Sequence, residues 1–215
     1  NVRNAQAELV GHGSGFFVRD DVTVVTNFHV IEGGHSADVV LQDGTPLSVL
    51  GVATFDLMSD VAILKVARDP KKAIHPLILG QNSPPHVASK AYVIGAPKGL
   101  DSSFSEGSVS AHREIDGRTW IQTTAAISPG SSGSPVFGSN GLVIGMATSS
   151  HIGGQNLNFA LATGHIREAV RAGGNRLIKM VDVPSRQQPS KQAADPAKPA
   201  DDDTYAAIVA AVKEA

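Results

Sequence analysis

The chain has 215 residues, 41% of them apolar and 18% charged, with no cysteine and a formal net charge of −2. That is enough apolar chain for one sizeable core or two small ones, and the near-neutral balance excludes a global field that would draw the protein to nucleic acid or an anionic membrane. The lack of cysteine excludes a disulfide framework and thiolate chemistry, no apolar run is long enough to span a bilayer, and no signal-like apolar segment follows Asn1.

In chain order, short β-type runs at 8–10, 15–18, 22–26, 37–41, 47–53 and 61–66 alternate with turn residues. Gln42-Asp43-Gly44-Thr45 carries the Asp-Gly signal of a hairpin turn. Asp69-Pro70-Lys71-Lys72 and Asn82-Ser83-Pro84-Pro85 bracket a less regular connection, where the boundary between two halves is placed. Six further runs follow at 91–95, 108–112, 119–123, 135–137, 142–148 and 157–161. The pattern predicts an all-β protein of two six-stranded antiparallel barrels, about 5–80 and 86–172. Thr163 is placed to cap a helix over 165–172, stopped by Gly173-Gly174. The folded domain is expected to span 1–183. Residues 184–203, rich in Pro, Ala, Gln, Lys and Asp, read as a disordered linker. Tyr205, Ile208, Val209 and Val212 then recur at helical spacing over 204–215. So short a helix is marginal alone; the stretch is a disordered end, a helix docking on a partner or another subunit, or a segment folding back.

Candidate chemistry starts at residues 127–136, Ile-Ser-Pro-Gly-Ser-Ser-Gly-Ser-Pro-Val. Glycines at 130 and 133 flank Ser132, so successive amides can turn toward one point beside its hydroxyl, the environment an acyl-transfer oxyanion needs. Taken alone, the same composition also describes a plain surface turn. A serine hydroxyl becomes a nucleophile only when a base removes its proton and an acceptor holds that base in one tautomer. Of eight histidines, His29 stands apart in Thr26-Asn27-Phe28-His29-Val30-Ile31, where a strand-like run opens into a helical turn, although a lone histidine by default fills a structural or surface role. Asp60 begins a buried-looking strand and reads either as a strand-edge residue or as an orienting acceptor; Asp56 is the competing acid. The other histidines lack metal-ligand spacing, so no metal and no cofactor is expected.

Together these segments resemble the trypsin-like serine proteases, most closely the HtrA/Deg type, over roughly residues 11–172. The resemblance rests on Gly13-Ser14-Gly15-Phe16-Phe17-Val18 with Thr26-Asn27-Phe28-His29-Val30, on Ser59-Asp60-Val61-Ala62-Ile63-Leu64-Lys65-Val66, on Gly130-Ser131-Ser132-Gly133-Ser134-Pro135 and on Asn158-Phe159-Ala160-Leu161. It implies a double β-barrel with the cleft between barrels. It also implies a serine endopeptidase in which Ser132 attacks, His29 is general base and then acid, and Asp60 orients the imidazole. The oxyanion hole falls to the amides of the loop 130–132 (Gly130, Ser131, Ser132), with those of Gly130 and Ser132 as the donors. Two positions depart from the HtrA pattern: serine stands at 131 where asparagine is usual, and at 134 where glycine is usual. The related glutamyl-specific proteases share the Gly-Ser-Pro ending, but the pocket segments here, with Ala126, Ile127, Met146, Ala147 and Thr148, are small and apolar. With no carboxylate at the base, a buried Lys or Arg would lack a partner, so small or medium aliphatic residues are the expected P1 preference. Serine at 131 also removes the aspartate that trypsin-like zymogens pair with a new N-terminus.

The resemblance further implies polypeptide substrates, a homo-oligomer such as a trimer, and an extracytoplasmic (periplasmic or secreted) setting. The tail is too short and too polar to form the PDZ domain that usually follows in HtrA-type chains. The rival reading from another class is a catalytically silent protease fold used as a binding module.

Overall fold

Apolar and β-branched residues recur through the runs between turns, and the described residues of the computed structural model form thirteen strands and two α-helices. It describes residues 1–20, 22–95, 103–128, 130–148 and 158–185, which belong to a unit running from Asn1 to Ser185. Apart from Pro184 and Ser185, the linker and terminal helix expected over 184–215 lie outside the described residues.

The first half contains β1 (Val2–Arg3), β2 (Leu9–Gly11), β3 (Phe16–Phe17), β4 (Thr23–Asn27), α1 (Phe28–Ile31), β5 (Ser36–Val40), β6 (Pro46–Asp56) and β7 (Val61–Val66). These strands form one antiparallel sheet in the order β2-β1-β5-β6-β7-β4-β3. The first of the two expected six-stranded barrels is a half-barrel of seven strands; β1 leaves no strand-like run in the sequence because only two residues of it pair, Val2 with Gly11 and Ala37, and Arg3 with Leu9 and Ser36. The Asp-Gly turn joins β5 to β6, with Gly44 at φ 83° donating to the Leu41 carbonyl at 2.9 Å. Phe28, Ile31, Leu47, Val52 and Leu64 fill this half, and Met180 and Val183 pack onto it from the end of the described chain.

The second half contains β8 (Lys90–Gly95), β9 (Ser103–Ile115), β10 (Arg118–Thr123), β11 (Pro135–Gly138), β12 (Val143–Thr148) and β13 (Asn158–Ala162), closed into a barrel in the order β10-β13-β12-β11-β8-β9. β9 is 13 residues long, far beyond the run expected at 108–112, because it pairs β8 along one part and β10 along the other. α2 (Thr163–Ala172) follows β13 and buries Ile166 and Val170. Thr163 is the first helical residue rather than its cap, and its hydroxyl donates instead to the Val143 carbonyl at 3.0 Å.

Phe16, Val25 and Ile63 from the first sheet meet Trp120, Met146 and Leu161 from the barrel and Ile166 and Val170 from α2 in one continuous apolar cluster. This seam fixes the two halves against each other, and its burial stabilises the domain by about 25 cal/mol per Å² of apolar surface removed from water. No helix among the described residues is long and apolar enough to cross a membrane.

Candidate active site

β4 delivers its last residue, Asn27, to the start of α1, a four-residue turn anchored by the fully buried Phe28 and Ile31. Phe28 also meets the ring of Phe55 at 5.2 Å. With both apolar residues turned inward, His29 is left on the outer side of the turn, half-buried. A helical turn leaves its first N–H groups unpaired, and a residue 31 positions downstream supplies acceptors for them. The Asp60 carbonyl accepts from Phe28 N at 3.1 Å and Asn27 Nδ2 at 2.9 Å, and Asp60 Oδ1 accepts from His29 N at 3.0 Å. The other carboxylate oxygen, Oδ2, takes His29 Nδ1 at 2.6 Å. One carboxylate thus holds both the backbone and the ring of the same histidine, which fixes the ring plane. It also assigns the proton to Nδ1, because an ionised carboxylate can only accept. Nε2 is then the ring atom able to take a proton.

Asp60 adopts φ 52°, a left-handed conformation that costs a non-glycine residue about 1–2 kcal/mol. It is reached through a turn closed by Asp56, whose Oδ1 accepts from Met58 N at 2.8 Å and Ser59 N at 3.3 Å. Burial alone would raise the Asp56 pKa, but these hydrogen bonds, that of the Ser59 hydroxyl and the charge of Arg118 outweigh it and hold the carboxyl below its ordinary value. From the barrel, Thr148 Oγ1 approaches Asp60 Oδ2 at 3.4 Å, so a residue read from the sequence as pocket wall donates to the carboxylate.

Ser132 sits in a loop whose turns need Gly130 at φ 96° and Gly133 at φ 88°. Gly133 N donates to the Ala147 carbonyl at 2.9 Å, and Ala147 N returns a 2.9 Å bond to the Ser134 carbonyl, tying the loop to β12. A second set of bonds ties it to the first half. Ser14 N donates to the Ser132 carbonyl at 2.7 Å, Ser14 Oγ donates to the Gly130 carbonyl at 2.8 Å, and the Ser14 carbonyl accepts from Thr26 Oγ1 at 2.7 Å. Thr26 lies three residues before His29, so the serine loop is fastened to the strand that carries the imidazole. Neither Ser14 nor Thr26 stands out in the sequence as functional, because their roles depend on partners far along the chain, 116 residues away for the Ser14 hydroxyl and the Gly130 carbonyl.

Three expected site residues make other contacts in the structure. Ser131 N donates to the Ser128 carbonyl at 2.8 Å inside the loop, so its amide is committed there rather than beside the hydroxyl. Met146 is fully buried in the seam between the halves with Trp120 and Leu161, and Ala147 is fully buried inside the barrel with Ile121 and Ala160. Alternation along β12 sends successive side chains to opposite sides, and in this strand both sides are core. Ala126 is exposed and Ile127 half-buried at the barrel mouth. The serine at 134 is fully buried, and its hydroxyl has no partner among the described residues. It fits because residue 95 is glycine: a Cβ there would stand 3.3 Å from Ser134 Cβ and collide with the hydroxyl. Among the described residues no group of three or more His, Asp or Glu is arranged to hold a metal ion.

The profile of the trypsin-like peptidase domain matches residues 13–146. The chain is 40% identical over 144 residues to the magnetosome formation protease MamE of Paramagnetospirillum magneticum, covering 63% of this chain and 20% of that protein. It is 36% identical over 176 residues to a probable periplasmic serine endoprotease, DegP-like, of Bartonella henselae, covering 79% of this chain and 34% of that protein. The chain therefore spans between a fifth and a third of the length of these relatives. Among solved structures, the serine endoprotease from Yersinia pestis superposes with a TM-score of 0.68 at 26% identity, over 84% of this chain and 61% of that one.

Proposed function

The chain belongs to the trypsin-like peptidase domain family, and on that premise we propose that it is a serine endopeptidase working through His29, Asp60 and Ser132. Ser132 Oγ attacks the scissile carbonyl while His29 Nε2 takes its proton, and the imidazolium formed is stabilised by Asp60. His29 then protonates the leaving amine, and water hydrolyses the acyl-enzyme by the same steps in reverse. The oxyanion is assigned to the amides of Gly130 and Ser132; a single such donor is worth about 3 kcal/mol of barrier. The observation that supports this reading most is the 2.6 Å bond between His29 Nδ1 and Asp60 Oδ2, on an element to which the serine loop is itself hydrogen-bonded through Ser14 and Thr26.

For the P1 side chain, the lack of a carboxylate among Ala126, Ile127, Met146, Ala147 and Thr148 favours Val, Ala or Leu over Lys or Arg. The substrates are polypeptides, and the names of the DegP-like relatives support an extracytoplasmic setting. Labelling by a fluorophosphonate probe that disappears in Ser132→Ala tests the nucleophile, and mapping cut sites in a denatured protein library tests the pocket. A folded protein inert to the probe under all conditions points instead to a binding module, and faster cleavage after Lys, Arg or Glu overturns the pocket assignment.

A further inference from the structure

Asp56, the acid that competes with Asp60 in the sequence, belongs to a charged cluster that the proposed triad does not use. β10 begins at Arg118, directly after a two-residue turn in which Asp116 and Gly117 adopt φ 51° and 71°. That turn belongs to the second half, yet the guanidinium reaches back to the first. Nη1 donates to the Asp116 carbonyl at 2.7 Å, Nε donates to Ser59 Oγ at 2.7 Å, and Nη2 lies 3.5 Å from Asp56 Oδ2. Ser59 Oγ in turn donates to Asp56 Oδ2 at 2.7 Å. The cluster faces a cleft of about 370 Å³ that His165 and Glu168 of α2 also line. His165 is engaged there through Nε2, which accepts from Thr119 N at 2.9 Å.

Ser59 is the residue immediately before Asp60, and it is buried. A planar guanidinium that holds the Ser59 hydroxyl while its own backbone turn holds one of its nitrogens leaves the Asp56–Ser59 turn little freedom to rotate. The next residue is the strained Asp60, whose two oxygens both serve His29. Unusual backbone conformations persist only where the surroundings over-determine them.

We propose that Arg118 is a positioning residue: by gripping Ser59 and Asp56 from the second half of the domain, it holds Asp60 in the left-handed conformation that aligns the His29 ring. The proposal rests on the serine endopeptidase reading above, and the test separates the two. In the full chain, Arg118→Met lowers kcat per fluorophosphonate-titrated site by about 10- to 100-fold, the scale of an ångström-level misplacement, with KM within about twofold of the unsubstituted protein. Arg118→Lys, which keeps a donor but not the fork, recovers part of the loss. Ser59→Ala lowers kcat in the same direction, and combining it with Arg118→Met adds little, because both remove one contact.

The downfield proton resonance of the His29 Nδ1 to Asp60 hydrogen bond, read by NMR on the resting protein, weakens in Arg118→Met and Ser59→Ala and persists in Arg118→Lys. Should Arg118→Met fail to fold, Ser59→Ala carries both measurements. A merely structural arginine would lower the melting temperature while leaving the kcat per titrated site and the resonance unchanged, and that result overturns the proposal. An unsubstituted protein that never reacts with the probe overturns the endopeptidase reading instead, and the resonance, which needs no turnover, then decides the role of Arg118 by itself.

Discussion

Replacing Gly133 by alanine tests whether the serine loop is held by close backbone approach or only by its own turn geometry. Two effects add at this position. The first is φ 88°, which costs an alanine about 1–2 kcal/mol. The second is steric: the added methyl would stand 2.7 Å from Thr26 Oγ1 and 2.9 Å from the Ser14 carbonyl carbon, closer still to its oxygen. Backbone cannot swing aside as a flexible side chain does, so the loop must lift from Ser14. Lifting stretches the 2.7 Å bond from Ser14 N to the Ser132 carbonyl and the 2.9 Å bond from Gly133 N to Ala147, each contributing about 1 kcal/mol net. The sum is about 3–4 kcal/mol, or roughly a 10 °C fall in melting temperature for a domain of this size.

Gly141 is the matched control. Its φ is 75° and nothing lies within 4 Å of an added Cβ, so Gly141→Ala carries the conformational cost alone, a fall of about 3–6 °C. Scanning calorimetry gives the stability difference, and the rate of fluorophosphonate labelling reports whether Ser132 is still presented. Close backbone approach at residue 133 is refuted if Gly133→Ala melts with Gly141→Ala and labels at the unsubstituted rate.

Asp60→Asn is expected to lower kcat/KM by about 10⁴-fold with little change in folding, because an amide facing Nδ1 favours the wrong tautomer; steady-state peptide hydrolysis and circular dichroism together check it. Ser134→Ala removes a buried hydroxyl that has no partner among the described residues and should raise the melting temperature by about 3 °C, corresponding to about 1 kcal/mol; a fall would mean the hydroxyl is satisfied. Asp56 has a folded-state pKa below its unfolded value, so its contribution to stability is complete above the unfolded value of about 3.9 and is lost as the pH falls through the folded one. Asp56→Asn should therefore be less stable than the unsubstituted protein at pH 6, and the gap should close toward pH 2 in a series of thermal melts. A gap that widens on acidification would reverse the sign.

Much of the domain is legible in the chain because it depends on local periodicity. Short apolar or β-branched runs between turn residues mark twelve of the thirteen strands among the described residues, the Asp-Gly pair marks the β5 to β6 turn, and Thr26-Asn27-Phe28-His29 marks where a strand gives way to a helical turn. The motifs around His29, Asp60 and Ser132 join these residues into one candidate site only through their resemblance to the trypsin-like proteases; each taken alone also reads as a structural or surface residue. Where local signals mislead, a long-range partner is the cause. Thr163 would cap a helix, but its hydroxyl finds the Val143 carbonyl; Met146 reads as pocket wall on an isolated strand, but the first sheet and α2 close over it.

Sequence alone thus determined most of the strand inventory and the all-β class, since each follows from neighbours within a few positions, and its motifs supplied the short list of reactive side chains through their resemblance to the trypsin-like proteases. Tertiary structure alone decided how those side chains are held: the Asp60 carboxylate spanning the His29 amide and ring, Ser14 fastening the serine loop from 116 residues away, and Arg118 reaching Ser59 across the two halves. Hydrogen bonds of a few ångströms between residues far apart in the chain leave no periodic trace in composition. They arise only once burial of the seam around Trp120, Met146 and Ile63 has fixed where each half stands.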